Sequence, residues 1–117
     1  MKKVYYLSTC DTCKRIIKEL GIGDEFEYQD IKFDKITQEQ IEEMKSISGS
    51  YESLFSRVAR KYKELGLKDK ALTEDDYRQY ILDEYTFLKR PVFLIDGEIF
   101  IGNSKKNVEA IKIKLAN

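Results

Sequence analysis

Histidine is absent from this 117-residue chain. That gap alone removes any Ser-His-Asp or Cys-His catalytic arrangement and any zinc site that needs imidazole. Neither sign of charge is in excess, because lysine plus arginine and aspartate plus glutamate each total 21. No net field therefore draws the chain to a polyanion or an anionic membrane, and direct nucleic-acid binding by bulk electrostatics is disfavoured. Long apolar runs are also missing. The opening MKKVYYLSTC offers only residues 4–7, far short of a signal-peptide core, and nothing later approaches a membrane span. A cytoplasmic protein is expected. Cysteine is scarce, with two residues, and in a reducing compartment such thiols are reactive or metal-binding more often than crosslinking.

Both cysteines lie in YYLSTCDTCKRIIKEL, residues 5–20, three positions apart, where an apolar run gives way to a helical pattern. Residues 3–8, KVYYLS, read as a buried first strand. From Thr12 the apolar positions Cys13, Ile16, Ile17 and Leu20 recur at helical spacing, and Gly21 supplies the stop. EFEYQDI alternates as a half-buried second strand, with Phe26, Tyr28 and Ile31 available to pack. Thr37 followed by Glu39 and Gln40 marks a helix start, ended by the SGS at 48–50. A helical tract is expected over residues 51–67, with Leu54, Phe55, Val58, Ala59, Tyr62 and Leu65 on one side. Thr73, ahead of three acidic residues, caps the next helix. Residues 92–95 and 98–101 form two strands joined by the Asp-Gly of a tight hairpin, and a capped amphipathic helix closes the chain. The length suits one domain over residues 1–117. The order β-α-β, helices, β-β-α with a Cys-x-x-Cys at the first strand-to-helix turn is the layout of a thioredoxin-like domain with a helical insertion.

The Cys-x-x-Cys has four readings. As a redox couple, Cys10 sits at the amino end of a helix, where unpaired N–H groups and the dipole favour a thiolate, and Cys13, one turn on, can resolve a disulfide. It could instead be half of a zinc site, for which the chain supplies no second pair. Cys13 could be core with Cys10 alone reactive, or both thiols could be inert. The redox couple fits best. Ser8 and Thr9 are candidates to cap the helix or to donate to an anion, and capping fits Ser and Thr better.

The segments CDTCKR, YKELGLKDKALTEDD and FLKRPVFLIDGEIFIGN resemble, in the same order, the arsenate reductase family of the ArsC type, which also includes the Spx transcription regulators and YffB-like proteins. The resemblance covers nearly the whole chain. It implies a thioredoxin-like (glutaredoxin-like) α/β fold: a mixed four-stranded sheet with a helical insertion, the core being residues 1–34 and 86–117 and the insertion 35–85. Cys10 matches the nucleophilic cysteine and Arg90 the arginine that binds the oxyanion beside it. A further arginine in the insertion falls at Arg57 in one register, with Arg60 the fallback. The reductases' third arginine would fall around Gly102 or Asn103, where none stands. Pro91 matches the cis-proline that thioredoxin-like domains place beside the active cysteine. The implied chemistry needs no bound cofactor and takes electrons from thioredoxin or from glutathione with glutaredoxin. A monomer acting on a small oxyanion or disulfide substrate through a thiol redox partner protein is expected. Cys13 is a feature of Spx-like members, so the other class is a redox-sensing regulator that binds RNA polymerase through a surface including Gly49.

Overall fold

The computed structural model describes residues 1–117. Four strands and five α-helices follow one another along the chain: β1 Lys2–Tyr6, α1 Asp11–Leu20, β2 Glu27–Asp30, α2 Gln38–Ser48, α3 Arg60–Glu64, α4 Glu74–Asp83, β3 Val92–Ile95, β4 Glu98–Ile101 and α5 Lys105–Ala116. The strands form one mixed sheet in the order β2-β1-β3-β4, with β1 parallel to β2 and the other two pairings antiparallel. No helix is long and apolar enough to cross a membrane.

The chain divides into two compact units, Met1–Asp34 with Arg90–Asn117, and Lys35–Lys89. In the first, alternation along the strands sends Val4, Phe93 and Ile95 to one face, where they join Ile16 of α1, Val108 and Ile111 of α5, and Phe26. Phe26 meets Phe93 edge-on at 6.0 Å, and each such buried side chain contributes about 1.5–3 kcal/mol relative to exposure. β3 is buried on both faces, which explains its uninterrupted Val-Phe-Leu-Ile. Asp96 and Gly97 take positive φ in the turn that joins it to β4, as the primed hairpin turns require. β2 departs from its expected alternation. Tyr28 is 38% exposed whereas Gln29 is buried, since the Gln29 amide donates to the Asp34 carbonyl at 3.0 Å and so loses little by leaving water.

In the second unit, α2 and α4 each begin with a reciprocal cap, Thr37 with Gln40 and Thr73 with Asp76. The continuous helix expected over residues 51–67 does not form. A 3-10 turn covers Glu52–Leu54, Phe55 is extended and bridged to Leu88, and only Arg60–Glu64 is α-helical. The reason is tertiary. The Phe55 ring stacks on Phe87 at 5.0 Å and meets Tyr77 at 4.9 Å, while the Ser56 N–H donates to the Phe87 carbonyl at 2.7 Å and the Lys89 N–H to that of Leu54 at 2.8 Å. Packing and ladder bonds outweigh the modest helical propensity of this stretch. Val58 and Leu65, expected on the inward side, are 94% and 46% exposed.

Candidate functional site

β1 ends at Tyr6, and a tight turn closed by the Cys10 N–H donating to the Leu7 carbonyl at 3.1 Å delivers the chain to α1. Cys10 is itself the N-cap, in extended conformation, and no side-chain hydrogen bond caps the helix. This corrects the expected capping role of Thr9 and Ser8. Thr9 is exposed, and the Ser8 hydroxyl donates to the Asp30 carboxylate instead. The position that an Asp or Ser oxygen ordinarily occupies is held by a sulfur, which the orphan N–H groups of the first turn favour as an anion.

The two thiols are free and differ in acidity. For Cys10, burial acts to raise the pKa. It is outweighed by the Cys13 N–H, the Cys13 thiol, the Thr12 N–H and the charge of Arg90, so the net shift is downward. Cys13 is fully buried. Burial foremost, with the neighbouring Cys10 sulfur, pushes it up to about 11, against the Leu7 N–H and Arg90, which pull it down. Cys13 thus keeps its proton and offers it to Cys10.

Arg90 and Pro91 reach this site through the sheet. Val92 is paired with Tyr5 across β1 and β3, so the two preceding residues stand where β1 gives way to the cysteine turn. The Arg90–Pro91 peptide is cis, as the resemblance implies, and the Pro91 carbonyl accepts from the Gly102 N–H at 2.9 Å. Cys10, Cys13, Arg90 and Pro91 therefore belong to one unit.

Arg57 and Arg60 belong to the other unit. Arg57 donates to the Glu52 carboxylate at 2.7 Å and to the Tyr77 hydroxyl at 2.9 Å, and its guanidinium lies over the Phe55 and Tyr77 rings. These bonds assign it a place in the aromatic cluster. Arg60 is exposed at the start of α3. Gly49 ends α2 in the left-handed region at φ 97°, a conformation that by itself accounts for glycine there. No group of three or more acidic or cysteine side chains is gathered as a metal site. The Ser8–Asp30 bond escaped sequence reasoning, since residues 22 apart carry no local pattern that pairs them.

Residues 5–111 match the model of the ArsC family. Two curated arsenate reductases of Neisseria meningitidis are 38% identical over 50 residues, and the chain spans 43% of their length. Among solved structures, an arsenate reductase from Vibrio cholerae superposes with a TM-score of 0.76 at 16% identity, over 96% of each chain. An arsenate reductase (ArsC) related protein from Brucella melitensis does so with a TM-score of 0.70 at 22% identity, over 93% of this chain and 92% of that one. At these identities the likeness speaks for the thioredoxin-like fold.

Proposed function

Because the chain belongs to the ArsC family, we propose that it is a thiol–disulfide redox protein in which Cys10 attacks and Cys13 resolves. The observation that carries this reading is the divergence of two adjacent thiols, Cys10 shifted down at a helix N-cap and Cys13 pushed up to about 11 by burial. In the first step the Cys10 thiolate attacks one sulfur of a disulfide substrate, forming a mixed disulfide and expelling the other sulfur as a thiolate. Cys10 then no longer carries the negative charge that raises Cys13, so Cys13 loses its proton more readily and attacks the Cys10 sulfur. The substrate leaves as a thiol, and the two electrons it gained are balanced by the Cys10–Cys13 disulfide.

With arsenate, Cys10 displaces an oxygen as water, Cys13 attacks Cys10, and arsenite departs two electrons richer. Arg90 supplies the positive charge on the anion's side. The partial likeness to curated arsenate reductases supports an oxyanion substrate. Thioredoxin, or glutathione with glutaredoxin, would return the disulfide to the dithiol. We place disulfide exchange ahead of arsenate reduction. Holding a multiply charged oxyanion beside a thiolate takes several fixed donors, yet Arg57 is bonded to Glu52 and Tyr77 and no cation stands at Gly102 or Asn103.

The same shortage favours the second reading, an Spx-like regulator whose disulfide changes its affinity for RNA polymerase. The test couples each donor system to NADPH consumption, with and without arsenate, for wild type, Cys10→Ser, Cys13→Ser and Arg90→Ala. Thioredoxin-dependent cycling that both serine variants abolish is expected, with little added by arsenate. Arsenate-dependent turnover surviving Cys13→Ser would overturn the resolving role. Absence of turnover with a redox-dependent pull-down of RNA polymerase would favour the regulator.

A further inference from the structure

The activation of Cys10 depends on its sulfur staying at the amino end of α1, facing the Thr12 and Cys13 N–H groups. Such contacts weaken steeply once the donor angle is lost. Between Leu7 and Cys10 the chain depends on few side-chain anchors. Backbone bonds hold the end of this turn, from the Cys10 N–H to the Leu7 carbonyl and from the Lys14 N–H to the Cys10 carbonyl, both at 3.1 Å, while Thr9 is exposed. Leu7 is buried, and Ser8 is the residue of this turn whose side chain is anchored by a hydrogen bond, donated to the carboxylate of Asp30.

Asp30 is an unusually fixed acceptor. It is the last residue of β2, in register with Tyr6 of β1. The next residue donates its N–H to the Tyr6 carbonyl at 3.0 Å. The Asp30 carbonyl accepts from the Phe33 and Asp34 N–H groups at 3.1 and 2.8 Å, and its second carboxylate oxygen accepts from the Lys32 N–H at 3.3 Å. The ends of two parallel strands are thereby joined to the cysteine turn through one side-chain bond. A carboxylate can only accept and the hydroxyl has one proton to give, so Ser8 spends that proton on Asp30 and does not offer it to the Cys10 thiolate.

We propose that Asp30, acting through Ser8, is a positioning residue that holds the turn presenting the Cys10 thiolate to its substrate. The proposal rests on Cys10 being the attacking thiol. Asp30 acts on the reaction at one remove, touching Ser8 and not the reacting sulfur.

Iodoacetamide alkylation of Cys10 against pH, in the reduced full chain and read by peptide mass spectrometry, tests it. Ser8→Ala and Asp30→Ala should each slow alkylation at pH 7 about fivefold, the factor equivalent to one ordinary net hydrogen bond, and raise the midpoint of the profile. The double variant should be no slower than either single one, because both remove the same bond. Ser8→Thr and Asp30→Asn, which keep donor and acceptor, should stay within about twofold of wild type. If an alanine variant loses its circular dichroism spectrum, Ser8→Thr against Ser8→Val, a pair that differs in the hydroxyl alone, carries the same decision. Profiles unchanged by loss of the bond, beside an activated wild-type Cys10, would overturn the positioning role and leave the redox reading standing. A wild-type Cys10 that alkylates no faster than a free peptide thiol would overturn both.

Discussion

The unit Met1–Asp34 with Arg90–Asn117 and the unit Lys35–Lys89 use their polar groups to different ends. In the first, the sheet ladder and the apolar side chains buried on both faces of β3 settle the architecture. That leaves N–H groups at the start of α1 and the charge of Arg90 to act on a thiol. In the second, polar groups serve the architecture itself. Glu74 accepts from the N–H groups of Tyr51 and Glu52, and Thr37 and Thr73 cap α2 and α4. Arg57 ties Glu52 to Tyr77 beside the ring of Phe55. Small irregular helical segments bury less regular backbone than a sheet does, so their carbonyls and amides draw side chains into service. A charged residue in the helical unit is therefore poor evidence of a site, and one at the end of β1 or β3 is better evidence.

The contrast is broken most severely at Phe55. Phe55→Ala should cost about 3–5 kcal/mol by urea denaturation, as large-to-small changes at a filled aromatic site do. Amide exchange should quicken across residues 35–89 while Val4, Ile16 and Phe93 stay protected. Equal loss of protection in both units would show that they unfold as one.

A smaller effect separates the thiols. The Cys13 pKa rises from its ordinary 9.0 to about 11 in the folded chain, so its contribution is fully present below pH 9 and is lost as pH rises towards 11. In that window the unfolded chain releases the proton while the folded chain retains it. Wild type should lose on the order of 2 kcal/mol more than Cys13→Ala between pH 8.5 and 10.5. Parallel losses in the two proteins would mean that the Cys13 thiol is not perturbed by burial.

Arg57→Ala should destabilise by about 1 kcal/mol, the scale of a partly exposed ion pair with a cation–π contact. Arg57→Lys should not restore the loss, since a point charge cannot serve Glu52 and Tyr77 in a planar fork. Unchanged stability together with a raised Michaelis constant for an oxyanion would return Arg57 to the site. Thr9→Ala should change neither stability nor the Cys10 alkylation rate by more than about 0.5 kcal/mol in equivalent terms, as for an exposed residue without a cap bond. A larger loss of either would restore a capping role to Thr9.

The elements with local signatures are legible in the sequence. Thr37 and Thr73 announced helix starts, Gly21 a stop, and Asp96–Gly97 a hairpin, because each of these turns is decided by the backbone preferences of residues within hydrogen-bonding reach in the chain. The Cys-x-x-Cys at the end of an apolar strand pointed to the thiol site for the same reason, its chemistry being set by the first turn of one helix. The stretch around Phe55 misled. Its apolar spacing is helical, but Leu88, Phe87 and Tyr77 draw it into an extended bridge, and partners more than 20 residues away leave no trace in a local period.

Local sequence signals were enough for the order of the four strands and the capped helices and for the thioredoxin-like class, and they singled out Cys10 as the candidate attacking thiol. Tertiary structure alone decided that Cys13 is fully buried with its pKa near 11, that Arg57 is bonded to Glu52 and Tyr77, and that Ser8 turns to Asp30 instead of capping α1. Acidity, pairing and hydrogen-bond choice depend on which distant groups share a few ångströms, and only the folded chain brings those groups together.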